Sequence, residues 1–140
     1  REPSEAEVQK ALELLKLTPK ERNEINSRTS GVATRTIEYA EVDAPATETV
    51  IVQAVRIGDQ AIVSMPFEVF VEIGLEIKEK SPFKHTFLVE LANGGYGYLP
   101  TPKQHELGGY ETWLTSARFQ ENSSEILTAA LLEMLAELHR

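Results

Sequence analysis

Cysteine is absent from the 140 residues. A disulfide, a thiol nucleophile and a thiolate-bound metal are therefore all excluded, and any metal would need histidine, carboxylate or phenolate ligands. The absence does not identify a compartment. No apolar run approaches the roughly 18 residues of a membrane span, so no transmembrane segment is expected. The N-terminus also lacks a charged-then-apolar leader. A chain opening Arg1-Glu2-Pro3 reads as processed, excised or truncated, so the missing leader says nothing about secretion. Positive charge is scarce: 14 Lys and Arg stand against 22 Asp and Glu, a net charge of −8. That balance argues against anionic membrane surfaces and against a phosphate backbone, and no nucleic acid partner is expected.

What is present suffices for one compact domain or a fragment of a larger one, since a chain of this length buries enough apolar surface to fold without staples. Residues 1–47 read as a helical lead-in. Ser4-x-x-Glu7 is a capping box and Thr18-Pro19-x-Glu21 a second helix start, which predicts two helices. Val8, Ala11, Leu12 and Leu15 form one apolar stripe on the first. The second is more polar and has Gly31 inside its span.

From Thr49 onward β-branched residues take over. Residues 50–57 and 61–65 flank Gly58-Asp59 and predict a hairpin. Pro66 ends the second strand, and Phe70, Ile73 and Ile77 predict a helix within 67–81 that stops at Ser81-Pro82. Lys84 to Ala92 predicts another strand, with Phe87, Val89 and Leu91 on one face and Glu90 on the other. Asn122-x-x-Glu125 reads as the cap of a last helix lined by Leu127, Leu131, Met134, Leu135 and Leu138. This order predicts an α/β or α+β fold, a small mixed sheet with packing helices.

The densest chemical signal lies between Leu91 and Tyr110, where tyrosines stand beside flexible glycine backbone. Tyr96 and Tyr98 alternate along an extended segment, so at most one of them faces a given pocket. Tyr110 follows Gly108-Gly109, which lets the chain turn tightly and deliver the phenol to a defined place. It reads either as an aromatic plug with its hydroxyl hydrogen-bonded or as a site residue. Glu68 lies just past Pro66, within the first turn of the expected helix. It is either a helix-start acid, worth about 0.3–1 kcal/mol, or a carboxylate projected into a site at the sheet's end. His85, His105 and His139 lack metal-ligand spacing. Ser64, Ser116 and Ser123 lack a nucleophile elbow, and Gly94-Gly95-x-Gly97 lacks the lysine of a phosphate cradle.

Taken in order, Met65-Pro66-Phe67-Glu68-Val69-Phe70, Leu91-Ala92-Asn93-Gly94-Gly95-Tyr96-Gly97-Tyr98-Leu99-Pro100-Thr101 and Gly108-Gly109-Tyr110-Glu111 resemble the neutral/alkaline non-lysosomal ceramidase family. They are similar to the C-terminal part of the catalytic domain in its bacterial members, over roughly residues 48 to 138. The resemblance implies a zinc amidase that cleaves the N-acyl bond of ceramide, with zinc held by two histidines, a glutamate and a tyrosine. Glu68 and Tyr110 match the last two, and Tyr98 falls in register with a pocket tyrosine and is the candidate catalytic residue. Residues 48–140 would then be the C-terminal subregion of a larger catalytic domain.

The chain also departs from the family pattern. Phe67 stands where the family has glycine, which predicts a crowded site or a narrowed entrance, and Gly95 takes the place of the first loop tyrosine. The histidine ligands lie upstream of the matched region, so the resemblance makes the upstream part of the same protein the expected partner and leaves this chain alone silent. It further implies an amide or lipid substrate and a secreted or periplasmic location. A non-catalytic binding or assembly domain, and an amidase or esterase with another substrate, remain as alternatives.

Overall fold

The computed structural model describes residues 2–42 and 47–140. Arg1 and residues 43–46 of the expected helical lead-in lie outside the described residues. The chain divides into two compact units, Arg1–Glu48 and Thr49–Arg140.

The first unit contains three helices, α1 (Glu5–Lys16), α2 (Pro19–Ile25) and α3 (Thr29–Glu41), where the sequence predicts two. Both helix starts form as reciprocal capping boxes. Glu7 N–H donates to Ser4 Oγ while Ser4 N–H donates to the Glu7 carboxylate, and Thr18 and Glu21 repeat the arrangement. The polar second span breaks at Asn26, an extended C-cap. Its side-chain oxygen accepts from Arg28 N–H, the local turn bond that asparagine offers in competition with helix. Ala11 is buried on α1, whereas Leu12 is 41% exposed, so the expected stripe is narrower by one residue. Ala33 and Thr36 are the buried positions near the middle of α3, and α1 packs against α3 largely through small side chains.

In the second unit, β1 (Gln53–Ile57) and β2 (Gln60–Ser64) form the expected antiparallel hairpin, with Ile57 opposite Gln60. Gly58 turns the corner at φ 63, in the left-handed region that glycine enters freely. After β3 (Glu68–Val69) and α4 (Val71–Lys80), β4 (His85–Val89) pairs parallel to β2, giving a mixed sheet in the order β1-β2-β4. A second, two-stranded sheet joins β3 in parallel to β5 (Tyr98–Leu99). The short helix α5 (Pro102–Leu107), a 3-10 turn at Tyr110–Thr112 and α6 (Ser123–His139) complete the chain. This is the expected class, a small mixed sheet with packing helices.

Helix α4 packs on β4, α6 packs on β1, and the two helices meet. Their stripes, Ile73 and Ile77 on α4 and Leu131 and Leu135 on α6, close over Ala61, Val63, Met65, Phe67 and Leu99, all nearly inaccessible. Leu127, Met134 and Leu138 support that core from its margin, as the α6 pattern predicts. Asn122 does precede α6, but its side chain makes no cap bond, so the expected capping box is not formed.

The β4 alternation holds. Thr86 is buried and Leu88 packs on the core, whereas Phe87, Val89 and Leu91 are 45%, 40% and 56% exposed. In register, Val55, Ile62 and Phe87 lie side by side on this outer face, with Ile57 and Val89 beside them. Both faces of β4 carry apolar residues, as parallel strands commonly do, so periodicity alone cannot say which one meets the helices. Among the described residues, no helix is long and apolar enough to cross a membrane.

Gly74 lies inside α4, and a Cβ added there would meet no atom within 4 Å. Replacing it with alanine removes backbone freedom from the unfolded chain without a steric cost. Gly74→Ala is therefore expected to stabilise the second unit by about 1 kcal/mol. A thermal melt followed by the fluorescence of Trp113, the single tryptophan, reads this as a raised midpoint. A lowered midpoint would show the position to be closer packed than its surroundings indicate.

Candidate functional site

Two of the motif segments are laced together by main-chain hydrogen bonds. Leu91 N–H donates to Phe67 C=O, Ala92 N–H to Met65 C=O and Tyr96 N–H to Pro66 C=O, while Glu68 N–H donates to Gly97 C=O at 2.9 Å. The Glu90 carboxylate closes the clasp by accepting from Val69 N–H at 3.1 Å. No local pattern in the sequence announces that role for Glu90. Two close approaches need glycine. A Cβ on Gly94 would lie 2.9 Å from the Tyr96 ring, and one on Gly97 only 2.3 Å from Ser116 C=O.

The clasp aligns β3 with β5 so that Glu68 sits directly beside Tyr98 and Val69 beside Leu99. Glu68 is thus a strand residue, not the helix-start acid expected from its distance to Pro66. The first turn of α4 begins only at Val71, after the extended N-cap Phe70. Because side chains alternate along a strand, Glu68 faces Tyr98 while its neighbour Phe67 turns inward. Phe67 is fully buried, packed against Tyr96 and Phe119 with ring centroids 5.7 and 5.1 Å away. The ring expected to crowd the site in place of glycine is thus turned into the core.

Tyr96 and Tyr98 part as their alternation predicts. Tyr96 joins the Phe67–Phe119 cluster, and Tyr98 turns toward Tyr110. Gly108 and Gly109, at φ 77 and 119, swing the chain from α5 into the 3-10 turn that carries Tyr110. Its ring meets that of Tyr98 edge to face at 5.7 Å, and the two hydroxyls lie 3.2 Å apart. Glu68 lies beside Tyr98 across the β3–β5 pairing. The bond with Tyr110, then the nearby Glu68 carboxylate, pushes the Tyr98 phenol above its ordinary value near 10, so this group keeps its proton.

Strand pairing and the two hydroxyls thus gather Glu68, Tyr98 and Tyr110 in one place, with Tyr110 38% exposed. A carboxylate such as that of Glu68 is among the donors zinc takes. Among the described residues, no group of three or more His, Asp or Glu is placed to hold a metal. The histidines lie on separate elements, His85 opening β4, His105 within α5 and His139 ending α6, where it stacks edge to face on Phe83. Comparison with protein-family models, with curated proteins and with solved structures finds no match to this chain.

Proposed function

We propose that residues 48–140 form the C-terminal part of a ceramidase-like zinc amidohydrolase, with Glu68 and Tyr110 as metal ligands and Tyr98 as the catalytic residue at the pocket. The observation supporting this reading is that Glu68, by strand pairing, and Tyr110, by its hydroxyl, both neighbour Tyr98 although they come from segments far apart in sequence. The upstream part of the same protein supplies the two histidines, and the substrate is an amide of lipid type met in a secreted or periplasmic setting.

Bound zinc would supply a water of pKa about 7 and a polarised carbonyl. Hydrolysis adds one water across the C–N bond, giving an acid and an amine, and needs hydrogen-bond donors where charge develops. Tyr98 fills that role because its phenol keeps its proton. Glu68 and Tyr110 would hold the metal.

Zinc content of the longest natural product containing this chain tests the assignment. Near-stoichiometric metal is expected in the parent, falling to background in the Glu68→Ala/Tyr110→Phe double variant. Full occupancy retained by a folded double variant would remove both ligands from the proposal. No zinc in either protein would favour a binding or assembly domain that keeps the fold without the chemistry. If zinc is present and ceramide is not cleaved, the same residues serve an amidase or esterase with a different acyl substrate.

A further inference from the structure

Helix α5 positions Tyr110, yet burial does not anchor it. None of its six residues is buried, and Leu107 at its end is 73% exposed. Two glycines at positive φ follow, and glycines hold no direction of their own, so the place of Tyr110 depends on where α5 is held.

A polar tie runs from this helix to α4. Gln104 Nε2 donates to Glu72 Oε1 at 2.9 Å, while Gln104 Oε1 accepts from the hydroxyl of Thr101, the N-cap of α5. Glu72 sits in the first turn of α4, where the helix N-terminus favours a carboxylate. The tie thus joins the helix that follows Glu68 to the helix that precedes Tyr110. The primary amide donates at one end and accepts at the other, whereas a carboxylate at 104 would face Glu72 with like charge.

We infer that Gln104 is a positioning residue, which holds α5 on Glu72 and so sets Tyr110 against Tyr98. The inference rests on reading Glu68, Tyr98 and Tyr110 as one site. It extends that site to two further residues.

The test is nuclear magnetic resonance on the 140-residue chain, following the cross-peaks between the ring protons of Tyr98 and Tyr110. Gln104→Glu is expected to abolish them while the amides of Ile77 and Leu131 keep their exchange protection, since position 104 lies outside the core. The charge swap Glu72→Gln/Gln104→Glu rebuilds donor and acceptor in reverse and is expected to restore the cross-peaks. Cross-peaks undiminished in Gln104→Glu, or not restored by the swap in a chain with protected core amides, would overturn the positioning role. Zinc content is read separately. A parent that binds no zinc but loses and regains the tyrosine contact in this series defeats the metal reading and supports the positioning role.

Discussion

Phe67→Ala is expected to lower the stability of the Thr49–Arg140 unit by about 3–5 kcal/mol, the usual cost of truncating a fully buried phenylalanine. Its ring has no solvent exposure and closes a three-ring cluster with Tyr96 and Phe119, tilted on the first and edge-on to the second. Truncation removes the transfer free energy of the ring and leaves a cavity that neighbours pinned by main-chain bonds fill only in part. Against a total stability of about 5–15 kcal/mol, such a loss leaves a substantial unfolded fraction under mild stress. Urea unfolding followed by Trp113 fluorescence is the measurement, with the midpoint falling and the slope unchanged. Phe67→Leu should cost less, because it keeps most of the volume. A loss under about 1 kcal/mol for alanine would mean that the ring is not the keystone of this cluster.

The second large effect is expected at Gly97. Alanine there would place a Cβ 2.3 Å from Ser116 C=O, a main-chain atom that cannot rotate away, at a φ of 84 that disfavours any side chain. The left-handed conformation alone costs roughly 1–2 kcal/mol. Relieving the clash moves the turn carrying Ser116, whose carbonyl accepts from Tyr98 N–H, and losing that bond adds about 1 kcal/mol. Gly97→Ala should therefore destabilise by about 3 kcal/mol or more and, where the fold survives, displace Tyr98 from Tyr110. Denaturant midpoint and the tyrosine ring cross-peaks report the two consequences. A variant as stable as the parent, with the ring contact intact, would contradict the close approach.

The legibility of these features in the sequence follows the range of the interactions that make them. The capping boxes at Ser4 and Thr18 and the hairpin at Gly58-Asp59 depend on residues a few positions apart, and each forms as its pattern predicts. The extended segment read through Tyr98 does form the two-residue β5, whereas β3 has two residues and is assembled by the clasp from Leu91 to Gly97, so no periodicity could announce it. For that reason the distance from Pro66 puts Glu68 on a helix that in fact starts later. The alternation of Tyr96 and Tyr98 needed only strand geometry, and the two rings do part, one to Phe119 and the other to Tyr110. The face of β4 was undecidable because both of its sides are apolar. The partnership of Glu72 with Gln104 joins two polar surface positions with no local signature.

The outer face of the mixed sheet bears on how the molecule behaves in company. Val55, Ile62, Phe87 and Val89 form an apolar strip without a charged side chain among them, and β1 and β4 each leave one edge without a strand partner in the sheet. Such a surface is sticky toward its own kind, and open ladder edges offer a template for cross-molecule pairing. The excess of acidic residues acts as the colloidal guard, since copies carrying a net charge of −8 repel one another before their strips can meet. That guard has a short reach, about 8 Å at physiological ionic strength, so salt exposes the strip's tendency to associate.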